Sequence, residues 1–403
     1  LKRLNILLVL DVFAFDTVGG GGEVFYEHAK GLVRKGHNVF VLFRRRNEKL
    51  PLQGIIDGIH FYTYDNNHRN ALAFMLSCIL NTSKLFKVIM RGTSIDLIDV
   101  HHPLPAISII FSKGSRKIPK VYAFHSPWDL EYKMDKDVHI YHLAGQLWNR
   151  ISSIIRKLIE KKSLMKCEKI VVESKYMKGL LQTIHPIPRS KIEIIPGGVD
   201  ERRFSPTEDR SSIRDELSIP QNKMVLLTIR RLVPRMGFQN LIKAISLIVK
   251  ERKDVYLIIG GKGPLEGSLK ELTNSLKLEK YICFVGFVEP EQLPMYYQAA
   301  DLFILPTLEL EGFGLVTLEA LSSGTPVLGT PVGGTKEILG KLDKGLLFKN
   351  TSPESIANLV LSHLKNRENL LALKPKCRKF VEANYSWNKA VNSIEEIFYQ
   401  ITK

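Results

Sequence analysis

Cysteine is scarce and scattered in this sequence, with four in 403 residues. Cys78, Cys167, Cys283 and Cys377 form no C-x-x-C pair, and no histidines stand near them at metal-ligand spacing. That excludes a zinc framework and a disulfide-stapled secreted domain, and reads as the reduced thiols of a cytoplasmic protein. Long apolar runs are also missing, none approaching the ~18 residues of a membrane span. Lys2-Arg3 before Leu4–Leu10 has the outline of a signal peptide. Asp11 cuts that run short without a clean small-residue cleavage site, so a first buried strand is expected instead. No low-complexity segment or short-period repeat breaks the chain, which argues against fibrous and solenoid classes.

Acidic residues are the other shortage: 58 Lys and Arg face 41 Asp and Glu, a net charge of +17. The imbalance is concentrated in residues 1–195, with 30 basic against 17 acidic, while the remainder holds 28 against 24. A basic first half fits phosphate-bearing substrates, acidic lipid surfaces or nucleic acid. No zinc-finger spacing, basic repeat or RNA-binding signature accompanies it, so nucleic acid is set aside as a partner. A chain this long with 44% hydrophobic residues can bury two cores.

What is present is an alternation of apolar runs with helical patterns. Asn5–Val9 reads as a strand, Gly19-Gly-Gly-Gly22 as a loop, Glu23–Lys35 as a helix and Asn38–Phe43 as the next strand. A glycine loop at a helix N-terminus is a place for an anion. It is not the dinucleotide fingerprint, because the third glycine after Gly19 and Gly21 is missing and Arg44-Arg45-Arg46 stands where an NAD site has an acid.

Ile95–Val100 and Lys120–Phe124 continue the alternation, the second delivering His125-Ser-Pro-Trp128 at its carboxyl end. His125 there reads as a general acid/base, as a hydrogen-bond donor to substrate, or as a satisfied loop residue. From Leu143 to Lys169, Ile151, Ile154, Ile155 and Leu158 follow helical spacing among Trp148, Arg150, Arg156, Lys157, Lys161, Lys162 and Lys166. That stretch is either an interfacial helix resting on acidic lipid or a surface helix packing its apolar stripe on the domain.

Ile194-Ile-Pro-Gly-Gly-Val-Asp200 marks a junction, after which strands at Val225–Ile229, Val255–Ile259 and Ile282–Val285 alternate with helices again. Both halves therefore read as doubly wound α/β domains with parallel sheets. The expected division is residues 1–195, residues 196–380, and a C-terminal segment 381–403 packing back toward the first domain.

One stretch of the second half carries the most chemistry. Asp301-Leu-Phe-Ile-Leu-Pro306 reads as a buried strand, followed by Glu311-Gly-Phe-Gly-Leu-Val-Thr-Leu-Glu319. Gly312 and Gly314 allow a tight turn, and a helical pattern begins at Leu315. Strand, glycine loop and helix aim backbone N–H groups at an anion. Glu311 and Glu319 repel phosphate but each accepts two hydrogen bonds, which suits adjacent hydroxyls of a sugar. A strand–helix unit with two solvated glutamates accounts for the same residues.

Taken in order, these motifs resemble the retaining glycosyltransferases of family 4, which have the GT-B fold of two Rossmann-like domains facing across a cleft. The resemblance rests on Gly19–Gly22, Pro196-Gly-Gly-Val-Asp200, Arg231-Leu-Val-Pro234 with Gly237, and the E-x7-E pair Glu311/Glu319. Gly260-Gly261-Lys-Gly-Pro264, Phe284-Val-Gly-Phe and Ala300-Asp301 fall at matching intervals. It implies that Glu319 holds the ribose of a nucleotide-diphosphate sugar. Glu311, with the backbone of Gly312, Phe313 and Gly314, would contact the donor sugar. Leu315 and Val316 N–H groups would face the diphosphate, with Gly261 nearby, and Arg231 would neutralise charge on the leaving diphosphate. Gly20 or Gly21 would let the acceptor-side loop approach that phosphate, and His125 would lie near the reaction centre.

The implied reaction needs no metal or other cofactor, because the leaving phosphate takes the acceptor's proton on the same face. Its partners are a nucleotide-sugar donor, a glycan or lipid-linked acceptor and an acidic membrane surface. The expected location is cytoplasmic, peripheral on the inner face of the cell membrane. Two departures stand out: Met236 replaces the family's lysine, leaving Arg235 or Arg230 to supply the charge, and Gly197 replaces an asparagine. A binding protein that kept the donor site without turnover, or a same-fold epimerase, would share most of these motifs.

Overall fold

Two compact units account for the chain, residues 1–197 with 387–403, and residues 198–386. The computed structural model describes residues 2–13, 20–135 and 143–403. Among the described residues the first unit holds eight strands: β1 (Asn5–Val9), β2 (Asn38–Arg44), β3 (Gln53–Ile56), β4 (Ile59–Tyr64), β5 (Leu97–Val100), β6 (Lys120–Ala123), β7 (Lys169–Val172) and β8 (Ile192–Ile194). They form one sheet in the order β3-β4-β2-β1-β5-β6-β7-β8. Every neighbouring pair is parallel except the edge hairpin β3/β4. Asp57 and Gly58, both at positive φ, make the two-residue turn of that hairpin.

β1, β5 and β6 are almost wholly buried, as parallel strands covered on both faces must be. Strand order reverses between β1 and β5. The carboxyl ends beside such a switch point are where open α/β sheets receive ligands.

Three helices of this unit depart from expectation. The first spans Gly20–Arg34, so Gly20 and Gly21 lie in its opening turn and not in a preceding loop. Val24, Ala29 and Leu32 bury its apolar face, and that packing outweighs the ~1 kcal/mol per residue that glycine costs a helix. Gly19 lies outside the described residues.

The second, Ala71–Gly92, was not anticipated at all. It is long and apolar enough, by length and composition, to cross a bilayer, which corrects the expectation that no segment approaches that size. Asn70 caps it by accepting a hydrogen bond from Ala73 N. The helix also leaves Leu72, Leu76, Leu80 and Val88 about half exposed.

The third, Leu143–Met165, is turned polar side inward. Ser153, Arg156, Glu160 and Ser163 are buried, Arg156 paired with Asp129 (2.9 Å) and Glu160 with His185 (2.8 Å). Trp148, Ile151, Ile154, Ile155, Leu158 and Met165 face outward. Arg156 is thus a buried partner of Asp129 and not a surface decoration, and the apolar stripe does not pack on the domain.

The C-terminal helix Trp387–Ile401 belongs to the first unit, where Glu395 binds Lys35 (2.7 Å) and His37 (2.9 Å). Those partners hold the Glu395 carboxyl below its ordinary range against the opposing effect of burial.

The second unit contains β9 (Met224–Ile229), β10 (Val255–Gly260), β11 (Ile282–Gly286), β12 (Leu302–Leu305) and β13 (Val327–Gly329). The sheet is parallel throughout, in the order β11-β10-β9-β12-β13. Its switch point lies between β9 and β12. The chain leaves β9 through Arg230-Arg231 and leaves β12 through Pro306-Thr307, bringing the arginines and the E-x7-E segment to one edge.

Candidate active site

At the β9/β12 switch point, Arg230 Nη2 lies 2.7 Å from Glu311 Oε2, with both side chains about nine-tenths buried. Thr307 Oγ1 donates to the same carboxylate oxygen at 3.4 Å. Arg230 Nη1 is buried without a hydrogen-bond partner. A guanidinium half-satisfied in a buried site is costly unless something with an acceptor oxygen completes it.

The segment holding Glu311 is braced on both sides. Arg235 Nη1 donates to Leu310 O (2.9 Å), and Leu308 N donates to Arg235 O (2.8 Å). Leu310 sits at φ 53, a left-handed conformation that costs a non-glycine residue about 1–3 kcal/mol and persists only where its surroundings impose it. On the other side, Gly334 N donates to Glu311 O at 2.9 Å. A Cβ at Gly333 would stand 2.0 Å from that same oxygen, so only glycine permits the approach.

The helix Leu315–Ser322 then starts behind Gly314, which has φ 93 and provides no side-chain cap. The helix start expected from the sequence is present, with Leu315 and Val316 as its first two residues, and its opening N–H groups and dipole would favour an anion. Phe313 is buried against Tyr385, so only its backbone is presented. Glu319 is buried on the second turn, and Tyr297 Oη donates to its Oε2 at 2.7 Å, fixing one oxygen.

Arg231 is exposed at the end of β9, whereas its neighbour Arg230 turns inward to Glu311. Met236 is buried in the core of this unit, so the position of the family's lysine contributes packing and no charge. Gly261, at φ 122, packs against Arg230 O, where a Cβ would stand 1.9 Å away. It seats the arginine loop on the end of β10.

The first unit has a second concentration of chemistry at the ends of β5, β6 and β7. His101 Nε2 lies 3.0 Å from Asp99 Oδ2, His101 Nδ1 lies 3.2 Å from His125 Nε2, and His125 Nδ1 lies 3.1 Å from Glu173 Oε1. The two imidazole planes are 10° apart with centroids 5.5 Å apart, a spacing that fits in-plane hydrogen bonding. Both ring nitrogens of His125 are therefore engaged within the protein.

Phe25 stands across both rings at 4.7 and 4.8 Å, and buried His28 on the same helix has no hydrogen-bond partner on either nitrogen. Burial first, and then the neighbouring His101, push His28 down to about 4. It is neutral at physiological pH.

Sequence reasoning thus located Glu311, Glu319, Arg231, Arg235, Gly261 and the Gly312–Val316 turn in one unit, and Gly20, Gly21 and His125 in the other. The β9/β12 edge brings Glu311, Glu319, Arg235 and the turn together. Missed were Thr307, Tyr297, Gly333-Gly334, Asp99, His101, Glu173 and His28. Val332-Gly-Gly-Thr335, a double glycine after a strand, was a readable signal. Asp99-Val-His101, two polar residues at period two ending an apolar strand, was another.

The two halves match two families of known proteins. The family described as "Glycosyltransferase Family 4" matches residues 18–203, and "Glycosyl transferases group 1" matches residues 209–387. N-acetyl-alpha-D-glucosaminyl L-malate synthase of Bacillus anthracis is 25% identical over 403 residues, covering 98% of each chain. Among solved structures, sucrose-phosphate synthase of Thermosynechococcus elongatus superposes with a TM-score of 0.81 at 20% identity, covering 99% of each chain. HepE of Anabaena, solved with UDP and glucose, superposes with a TM-score of 0.76 at 17% identity over 99% of this chain and 100% of its own.

Proposed function

The chain is a family 4-type glycosyltransferase with the GT-B fold, and on that premise we propose that it transfers a hexose from a nucleotide-diphosphate sugar to a glycan or lipid-linked acceptor with retention of configuration. The observation that carries the donor half is the buried Arg230–Glu311 pair, with Arg230 Nη1 unpaired, beside the Gly314-capped start of a helix. Anionic oxygens of a diphosphate complete that arginine and take the helix N–H groups. Glu311 is held by Arg230 and Glu319 accepts from Tyr297, and carboxylates fixed in this way are suited to accept from sugar hydroxyls. HepE, solved with UDP and glucose, supports a sugar nucleotide as the class of donor.

In this reading the bond from the sugar's anomeric carbon to the diphosphate oxygen breaks as the acceptor oxygen bonds to the same face, and the acceptor's proton passes to the departing phosphate. Arg231 and Arg235, with the helix N–H groups, offset the charge that grows on the diphosphate, so the proposal requires no metal or cofactor. Glu311 is tied to Arg230 and serves as a sugar contact, not as a nucleophile.

A thermal-shift panel of UDP-, GDP- and ADP-sugars tests the donor half, since a ligand that binds only the folded chain raises its melting temperature. One nucleotide series is expected to raise it, and Glu319→Ala to abolish the rise. Transfer that is detectable in the parent and unchanged in Arg231→Met, Arg235→Met and Glu311→Gln would remove the assigned roles.

The acceptor half rests on the first unit. Of the sixteen exposed large hydrophobics among the described residues, eleven lie on Ala71–Gly92, at Phe111 or on Leu143–Met165. Lys84, Lys87, Arg91, Arg150, Lys157 and Lys162 are exposed on the same two helices, and Lys166 just beyond the second. Apolar side chains set among cations fit an anionic bilayer surface, which would place the enzyme in the cytoplasm, peripheral on the inner face of the membrane, and deliver a lipid-linked acceptor. The protein is expected to sediment with acidic liposomes, to be released by salt, and to lose binding on Ile154→Glu with Leu158→Glu. Failure to bind at low ionic strength refutes this half alone.

A further inference from the structure

The chain Asp99–His101–His125–Glu173 has acceptor-only groups at both ends and an imidazole at each inner position. Its three hydrogen bonds need three protons. Two neutral imidazoles bring one each, so with carboxylates at both ends either one bond is empty or the pair has taken a third proton from solvent. All three separations, 3.0, 3.2 and 3.1 Å, are hydrogen-bonding distances, and the near-coplanar rings are set for the middle bond.

We propose that His101 and His125 share one additional proton, making the pair a fixed cation held between Asp99 and Glu173, and that glycosyl transfer depends on this charge. In this arrangement His125 does not act as a general base, because both of its nitrogens are donors or shared. Asp99, His101 and Glu173 are positioning residues that keep His125 charged and fixed in orientation.

The surroundings match. Asp99 and His101 are buried, while His125 and Glu173 remain partly accessible at the outer end. The chain thus runs from the interior of the sheet to the carboxyl ends of β6 and β7. Among the described residues, His28 on the Gly20–Arg34 helix also faces the pair; it is held neutral first by burial, with His101 and His125 lowering it further and Asp99 and Glu173 opposing them. Phe25, from the same helix, packs across both rings and limits their rotation. A buried carboxylate, a histidine pair and a second carboxylate are expensive to assemble and do nothing for the fold that apolar residues would not do better. The group such a cation serves is a substrate oxygen that is anionic or becomes so during transfer.

The isosteric amides provide the test. In Asp99→Asn or Glu173→Gln, the new NH2 group donates to the adjacent imidazole nitrogen, so three bonds form with only two ring protons and the extra proton is no longer required. Full-length protein labelled with 15N-histidine is compared by NMR at about pH 7.5, where most free imidazole is neutral. The wild type is expected to show an imidazolium signature that vanishes in each amide variant, with the fold unchanged by near-UV circular dichroism. Glu173→Asp, which keeps an acceptor-only end, is expected to retain it.

In parallel, kcat is expected to fall at least about tenfold in both amide variants, with KM changed less than about twofold, and to recover in Glu173→Asp. Neutral rings in the wild type overturn the proposal. So does an imidazolium that survives Glu173→Gln, or one lost there without any change in kcat. The NMR signature is read on the free protein, so absence of transfer from every donor tested would count against the proposed reaction and not against the shared proton.

Discussion

His28 offers a stability prediction with a definite sign. Its ring is buried on the Gly20–Arg34 helix, edge-to-face with Trp387 at 5.7 Å, and neither nitrogen has a partner. Burial lowers it to about 4 from the ordinary 6.5, so between those values the unfolded chain binds a proton that the folded chain refuses. Stability from this residue is therefore fully present above about pH 6.5, falls as the pH drops toward 4, and levels off below. The whole interval is worth on the order of 3 kcal/mol, and about 2 kcal/mol of it is lost by pH 5. His28→Phe keeps a ring of similar shape, removes the titration and replaces two orphaned polar atoms. It is expected to match or exceed the wild type at pH 7.5, and to gain about 2 kcal/mol on it at pH 5. The assay is urea unfolding followed by tryptophan fluorescence. Trp128, Trp148 and Trp387 all lie in the first unit, so the signal reports that unit alone. Parallel pH profiles for variant and wild type would refute the reasoning.

The second unit yields two further predictions. Gly333→Ala puts a Cβ 2.0 Å from Glu311 O at a backbone φ of 61, which is expected to cost about 1–3 kcal/mol and to abolish the sugar-nucleotide thermal shift. Gly340→Ala in the same helix meets only ordinary contact at 3.8 Å and is the control, expected to leave the thermal shift intact and to raise stability by up to about 1 kcal/mol. Arg230→Met leaves Glu311 buried and unpaired, an expected loss of about 3 kcal/mol in urea unfolding followed by circular dichroism. Adding Glu311→Gln should restore at least about 1 kcal/mol, and a strictly additive double variant would show that the pair is not coupled.

How much of this could be read in advance varies with how local the signal is. β9, β12 and the turn from Gly312 to Val316 were legible because buried parallel strands are continuous apolar runs and the glycines follow at once. Arg230 was named only as a substitute for the missing lysine. Which of two consecutive arginines turns inward is decided beyond the end of β9, where the strand's alternation no longer applies. The histidine chain was mostly illegible. His101, His125 and Glu173 stand 24 and 48 residues apart, and only the pairing of β5 with β6 and β6 with β7 brings them together. The β3/β4 hairpin, by contrast, announced itself in Asp57-Gly58 and was simply not read.

The Leu143–Met165 helix shows most sharply where periodicity stops. Helical spacing identifies an apolar stripe but does not say which face the fold wants, and here the fold takes the polar one. The Arg156–Asp129 and Glu160–His185 pairs face inward, leaving six large apolar side chains between about one-third and two-thirds exposed. Burying what remains of those six, about half of each, is worth on the order of 5 kcal/mol at about 1.5–2 kcal/mol per fully buried side chain. Alone, that corresponds to a dissociation constant near 10⁻⁴ M, too weak to hold the protein on a membrane. Cations near an acidic surface add about 1 kcal/mol each, so the exposed Arg150, Lys157, Lys162 and Lys166 decide the outcome. It follows that binding to neutral vesicles should be marginal and binding to acidic vesicles firm. It also follows that replacing those four cations with glutamine should abolish attachment while every apolar contact remains available. Vesicle sedimentation across a series of anionic lipid fractions measures this directly. Equal binding of the quadruple variant to acidic vesicles would show that apolar burial, and not charge, holds the protein there.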